Sequence, residues 1–323
     1  SGFSSLINYH AKCRMNHLYG STGIIGKTAT ADYSGNMLLV ARVGANAGSL
    51  QLVNDNCGIT DNTLIIKPCK LSSHYLYFYL QHYNLNRLVF GSGQPLITAG
   101  MLKKVRIPFG NQLEQRKIER LLVCVNERIS TQNKIIEKLE TLIKGIRNNT
   151  MAKIKGDSIT LEDIADIYQP QTIASTDLME DGYLVYGANG VIGRYHLYNH
   201  EKEQICITCR GNTCGTVNYT ESKSWITGNA MVINTDKFAQ NVNKRYLFHY
   251  LSSINFNSII SGSGQPQIVR QPLAKLKLIL PTLTTQNHIA ECLDTILAKI
   301  KKERTFLQVL QKQKLYLLSQ MFI

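Results

Sequence analysis

Three groups of residues have the types that metal or nucleophilic chemistry needs. Cys206, Cys209 and Cys214 fall in a C-x2-C-x4-C spacing that could hold zinc together with Cys57 or a histidine. Glu221-Ser222-Lys223 matches half of a metal-dependent nuclease centre, but no Pro-Asp precedes it suitably. The eight histidines, His196, His200 and His249 among them, are read as scattered surface or core groups. No Gly-x-x-x-x-Gly-Lys-Ser/Thr loop is present to cradle a triphosphate, and no Gly-x-Gly-x-x-Gly opens a helix after a strand. No Pro-Pro pair supplies the loop that methyl transfer to an amino nitrogen would require. The chain is therefore expected to need no cofactor or metal and to catalyse nothing itself.

What remains is chemistry suited to a polyanion. Lys27 and Arg194 follow matching Tyr-Gly-x-x-Gly turns. Arg42 and Asn46 flank Gly44, while Arg210, Asn212 and Thr213 surround Gly211. Gln94 and Gln265 sit in glycine-flanked turns, and Lys223 completes the set. Arginine can grip guanine edges with two bonds and Asn or Gln can read adenine, whereas lysine and backbone amides hold phosphates. These ten residues are the candidate DNA-binding groups.

The 323 residues carry a net charge of +14, with 44% apolar and 18% charged residues. Such a chain can bury sizeable cores, so a disordered basic tail is excluded. Residues 1–110 hold 10 basic and 3 acidic groups, and 182–284 hold 10 and 4, whereas 157–181 has seven acids and no base. Positive charge in two similar blocks fits a long polyanion better than one small ligand. No apolar run reaches 18 residues, so no membrane span is expected. Ser1-Gly2-Phe3 is not the start of a signal peptide, and the missing initiator Met points to a trimmed start. Eight unevenly spaced cysteines fit a reducing interior, hence a cytoplasmic protein.

The chain repeats itself. Tyr19-Gly20-Ser21-Thr22-Gly23-Ile24-Ile25-Gly26-Lys27 recurs 167 positions later as Tyr186-Gly187-Ala188-Asn189-Gly190-Val191-Ile192-Gly193-Arg194. Ile59–Ile66 recurs as Ile226–Ile233 at the same offset, and Gly44 and Gly48 meet Gly211 and Gly215. Further on the offset is 171, where Gly91-Ser92-Gly93-Gln94-Pro95 meets Gly262-Ser263-Gly264-Gln265-Pro266. The repeat partners of Cys206, Cys209 and Cys214 are Leu39, Arg42 and Ala47, so buried strand cysteines are a better reading than zinc ligands. The shared Gly-Ser-Gly-Gln-Pro is read either as a DNA-approaching turn or as a turn that fixes the strand after it. Identical residues cannot read two different sequences, so the variable residues between the shared ones are the more plausible base readers.

Each copy begins with β-branched runs punctuated by Gly and Asn, including Met37–Val43 and Gln204–Cys209, which read as twisted strands. Tyr75–Tyr83 and Tyr246–Leu251 are expected to form short helices on those sheets. Val105–Pro108 and Leu278–Pro281 are expected to be last strands stopped by proline. A long helix follows each. Leu122, Val125, Ile129, Gln132, Ile136, Leu139, Ile143 and Ile146 step by three and four. Adding 171 gives Leu293, Ile296, Ile300, Glu303, Leu307, Leu310, Lys314 and Leu317, so the heptad register and one polar member survive the duplication. Two-fold-related helices in one chain pair antiparallel, and about 40 residues span ~60 Å, so the blocks are expected to form a dumb-bell with a rigid spacer. Ile154–Ile167 has no counterpart, and its missing partner would bridge the chain ends.

Together these features resemble the specificity subunit of type I restriction–modification systems. The resemblance is carried by the paired Gly-Ser-Gly-Gln-Pro turns, by Ile107-Pro108 with Glu114-Gln115, and by Leu280-Pro281 with Gln286. The long helices and the lead-in Asp157–Ile167 complete it. It implies an α+β fold with two similar target-recognition domains separated by two long antiparallel coiled-coil helices in a pseudo-two-fold internal repeat. The divisions expected are 1–110 and 151–284 for recognition, 111–150 and 285–323 for the helices. It further implies recognition of a bipartite double-stranded DNA target. Two methyltransferase subunits would dock on the helices, with restriction and motor subunits held through them. The alternatives are a nuclease or methyltransferase fused to a recognition domain, and a coiled-coil adaptor without DNA contact. The lead-in before the first block is missing. Which bases are read does not follow from the sequence.

Overall fold

The structure is a computed structural model that describes residues 15–91, 94–188, 190–262 and 264–322. The expectations placed on residues 1–14, on Ser92, Gly93, Asn189 and on Ser263 lie outside the described residues. The chain divides into two compact units: Lys134–Arg304 forms the second, and the residues before and after it form the first. Both long helices contribute to both units.

In the first unit, β1 (Asn16–Gly20) pairs with β2 (Gly23–Thr28) as a hairpin and with β5 (Cys57–Ile59) in parallel. A second sheet has the order β4-β3-β6, from Leu50–Asn54, Asn36–Ala41 and Thr63–Ile66. The five residues Met37 to Ala41 are all fully buried, because both faces of β3 are covered. Leu38 and Val40 pack with Leu76, Phe78 and Leu80 of α1 (Ser73–Tyr83). Met37 and Leu39 point the other way, toward Val53, Cys57 and Tyr19. A short α2 (Ala99–Lys103) precedes the long α3 (Gln112–Lys153).

The second unit repeats this plan and adds to it. After β7 (Asp157–Thr160) and β8 (Asp166–Tyr168) come the hairpin β9 (Tyr183–Gly187) and β10 (Gly190–Tyr195). Then follow β11 (Ile205–Thr208), β12 (Val217–Tyr219), β13 (Trp225–Ile226) and β14 (Ala230–Asn234). The unit closes with α4 (Lys244–Leu251), α5 (Arg270–Ala274), β15 (Lys277–Leu280) and α6 (Leu283–Met321). Here the sheet order is β12-β11-β14-β8, one strand wider than the first unit's sheet among the described residues.

The expected last strand forms only once. Leu278–Leu280 is a strand because β7 pairs with it, whereas residues 105–108 have no such partner among the described residues and stay irregular. Nor are the two prolines equivalent. Tyr75 Oη donates to Pro108 O at 3.1 Å, and its repeat partner Tyr246 Oη donates to Ile279 O at 2.9 Å. Gly110, not Pro108, is the counterpart of Pro281: buried Gln115 donates to Gly110 O, and buried Gln286 to Pro281 O, both at 2.9 Å.

The helix starts are built locally. Asn111 Oδ1 accepts from the Leu113 and Glu114 amides while Glu114 accepts from Asn111 N, a reciprocal cap. The heptad seams are buried as expected, with Leu122, Val125, Gln132, Ile136 and Ile143 inward on α3 and Leu293, Ile300 and Leu310 inward on α6. Within the first unit, Ile118 and Leu122 pack with Leu317 and Leu318. Within the second, Leu139, Ile143 and Ile146 pack with Leu293, Ile296 and Ile300. The start of one helix thus meets the end of the other, and the pair is antiparallel.

Among the described residues, one part of the second unit is echoed in the first only by the pair of His74 with Glu119, 3.2 Å apart. Arg147 of α3 donates to His249 Nδ1 at 3.2 Å, His249 Nε2 donates to Asp294 of α6 at 2.9 Å, and Arg245 grips Asp294 from α4. At the positions displaced by 171 stand Leu318, Phe78, Val123 and His74. Fully buried His249 is neutral: loss of water pushes its pKa below 6.5, and the cations Arg147 and Arg245 push the same way against Asp294. Hydrogen bonds from His249 and Arg245 hold Asp294 down to about 2, against its own burial. Both groups are favoured in their deprotonated forms by folding, so their contribution is present above the unfolded pKa values. It fades as pH falls, through 6.5 for His249 and from 3.8 toward 2 for Asp294. Calorimetry is therefore expected to show the second unit melting lower at pH 5 than at pH 7.5. Arg147→Leu, His249→Phe and Asp294→Val together should remove the loss of stability that sets in below 6.5; an unchanged loss would contradict this assignment.

Candidate nucleic-acid interface

In each unit two loops are joined by backbone hydrogen bonds, and side chains tie the hairpin to them. Gly44 N donates to Pro95 O at 2.9 Å and Ile97 N to Arg42 O at 2.9 Å. Their repeat partners do the same, Gly211 N to Pro266 O and Ile268 N to Cys209 O, each at 3.0 Å. The loop after β3 or β11 is therefore clasped to the Gly-Ser-Gly-Gln-Pro turn. Gly91 and Gly262 make that turn possible at φ of 102° and 93°, and a Cβ there would meet the carbonyl of Gln94 at 2.6 Å or of Gln265 at 2.4 Å. The hairpin is tied to the same loops. Gln51 Nε2 donates to Gly20 O at 2.8 Å, and the hydroxyls of Thr208 and Thr213 donate to Ala188 O at 2.6 and 2.9 Å.

The clasp presents Arg42, Asn46 and Gln94 as exposed side chains in the first unit, and Arg210, Asn212 and Gln265 in the second. Arg42 and Arg210 are not repeat partners: Arg42 matches buried Cys209, and Arg210 matches Val43. The same backbone thus carries different side chains. Thr213 spends its hydroxyl on the hairpin. Lys27 and Arg194 lie exposed on β2 and β10, although Arg194 Nη1 also donates to Gly182 O at 2.7 Å. Lys223 belongs to another loop, with φ of 50° and Nζ 4.0 Å from Glu201. That loop reaches the hairpin through Glu221 N, which donates to Tyr186 Oη at 3.1 Å.

The thiols are core groups. Cys206 is buried in β11, where burial pushes its pKa up to about 12, and Cys209 is buried beside Gln169, whose Nε2 lies 3.1 Å from its sulfur. A protonated thiol of this kind is a poor metal ligand. Among the described residues no three His, Cys, Asp or Glu gather to hold a metal, and no helix is long and apolar enough to cross a membrane. The ties made by Thr208, Thr213 and Gln51 were not anticipated from the sequence. Hydroxyl and amide side chains beside a glycine turn were their only trace.

The family model for the type I restriction modification DNA specificity domain matches twice, over residues 9–155 and 154–312. The chain belongs to that family. Each match takes in one clasped-loop block together with the long helix after it. The chain is 29% identical over 147 residues to the type I restriction enzyme EcoprrI specificity subunit of Escherichia coli, covering 44% of this chain and 36% of that one. The alignment thus spans about a third of that relative's length. A type I restriction–modification S subunit from M. genitalium has the same fold, with a TM-score of 0.68 at 18% identity, covering 95% of this chain and 88% of that one. A chain solved in work on complex assembly and conformational transition of the type I system gives 0.55 at 15% identity, covering 95% and 91%.

For a DNA specificity family, the side chains that differ on a shared backbone are the candidate base readers. Arg42→Ala with Arg210→Ala is expected to weaken binding to the cognate duplex by roughly tenfold or more per arginine, since a bidentate base contact is worth ~1–3 kcal/mol. Random duplex should suffer less. Titrations showing equal losses on both duplexes would argue against base reading by these arginines.

Proposed function

We propose that the chain is a non-catalytic DNA-reading subunit that recognises a bipartite target. Residues 1–110 and 151–284 would serve the two half-sites, and the helical regions 111–150 and 285–323 would act as spacer and dock. The observation that carries this reading is the identical clasp in both units with unlike side chains on it, Arg42, Val43, Ala45 and Asn46 against Cys209, Arg210, Asn212 and Thr213. One construction used twice with different polar groups suits two different short sequences. Lys27, Arg194 and Lys223 supply phosphate contacts, which add affinity without sequence preference. Two methyltransferase subunits dock on the helices and bring restriction and motor subunits with them. Capture of purified methyltransferase subunit by the intact chain tests that part, and no capture would contradict it.

Fluorescence anisotropy with random duplex across a salt series tests the DNA part. Affinity is expected to fall steeply as salt rises, whereas no salt-dependent binding would favour a purely structural adaptor. Cleavage or methylation by the purified chain alone would instead favour the fused-enzyme alternative.

Helix length sets the gap between half-sites in this proposal. Removing one heptad from each helix, residues 129–135 and 300–306, keeps both seams in register and shortens each by about 10 Å. The preferred gap among selected duplexes is expected to change by roughly three base pairs, taking ~3.4 Å per pair. An unchanged gap would reject the spacer role.

A further inference from the structure

The two hairpins carry exposed apolar surface at the same places. Ile24 and Ile25 are 56% and 53% exposed, and their repeat partners Val191 and Ile192 are 50% and 41% exposed. Both hairpins also bulge at one position. Tyr19 pairs with Ile24 and Leu18 with Gly26, leaving Ile25 outside the ladder; Tyr186 pairs with Val191 and Val185 with Gly193, leaving Ile192 outside. Ile25 and Ile192 lie over Gly20 and Gly187, where an added Cβ would come within 3.0 and 2.9 Å of their Cδ1 atoms. Gly23 and Gly190 turn the tips at φ of 113° and 79°. Each hairpin therefore carries two exposed aliphatic side chains directly after the glycine that ends its turn and, beyond one further glycine, an exposed cation, Lys27 or Arg194.

We propose that the two tips are apolar wedges that press into the base stack of duplex DNA and unstack one step in each recognised segment. This rests on the DNA-reading function proposed above. Three features point to the base stack as the occupant. Bonds from Gln51 on β4 in the first unit, and from Thr208 at the end of β11 and Thr213 after it in the second, hold each hairpin beside the strands that flank the Arg42 and Arg210 loops, so a bound duplex can meet both. The flanking cations favour a polyanion over another protein's apolar face. Finally, the two positions after the turn glycine stay aliphatic in both copies while residues 42, 43, 45 and 46 change, so their task is indifferent to sequence. Contact with a thymine methyl would demand thymine at the same place in both segments, whereas an aliphatic wedge can open any flexible step.

The test uses the full chain and its selected duplex, with 2-aminopurine at successive positions, and the same duplex with one mismatch at the step that brightens. The unchanged chain is expected to raise fluorescence at one step in each segment. A variant with Ile24→Ser, Ile25→Ser, Val191→Ser and Ile192→Ser should give no rise and bind the paired duplex roughly tenfold or more weakly, recovering most of that loss on the mismatched duplex. Ile24→Leu with Val191→Leu should behave as the unchanged chain, and the serine variant, which loses only half-buried side chains, should still melt cooperatively. Tight, salt-dependent binding without a fluorescence rise would overturn the wedge and leave DNA reading standing. So would equal loss on both duplexes, or unaltered DNA binding with loss of methyltransferase capture, which would assign the tips to a protein contact. No duplex binding at all by the unchanged chain would overturn both.

Discussion

Two backbone hydrogen bonds, Gly44 N to Pro95 O and Gly211 N to Pro266 O, set the conditions for everything these loops can do. They require a turn that only glycine can make at Gly91 and Gly262, and they hold residues about 50 positions apart in sequence at one spot. Loops clasped this way by backbone leave most of their side chains without structural duty, Thr213 being an exception. This accounts for the pentapeptide being repeated without change while the neighbouring Arg, Val, Asn and Thr differ between copies. A rigid frame with variable exposed groups is an arrangement suited to reading more than one sequence.

The long helices follow a related division of labour. Their seams repeat with a common register, and buried Gln115 and Gln286 fasten each helix start to the block before it. The second unit then departs from strict repetition by placing Arg147, Arg245, His249 and Asp294 where the first has mainly apolar groups. Such a network is costly unless complete, because each buried charge needs its partner. It links α4 to both long helices through Arg147, His249, Arg245 and Asp294.

Much of this organisation was legible in the chain itself. The 167 and 171 offsets located equivalent loops, and the steps of three and four along 122–146 and 293–317 marked the buried seam, since those spacings are the period of a helix face. Val105–Pro108 is not a strand, because a strand depends on a neighbour and the described residues of the first unit supply no counterpart of β7. Aligning Pro108 with Pro281 failed for a similar reason: residue type suggested equivalence, but the hydrogen bonds of Tyr75 and Gln115 define it two residues later. Among the candidate site residues, exposure of Arg42, Asn46, Gln94, Arg210, Asn212 and Gln265 followed from glycine-rich loops. The engagement of Thr213 with Ala188, and of Lys223 with Glu201, depended on contacts across 25 and 22 residues that no local pattern encodes.

The central claim is that two blocks of one construction read two separate DNA segments. Sequencing the duplexes selected from a random pool by the full chain, alone and with methyltransferase subunits, tests it most directly. The account predicts two short specified elements separated by an unspecified gap of fixed length. Enrichment of a single continuous element, or of none, would contradict it.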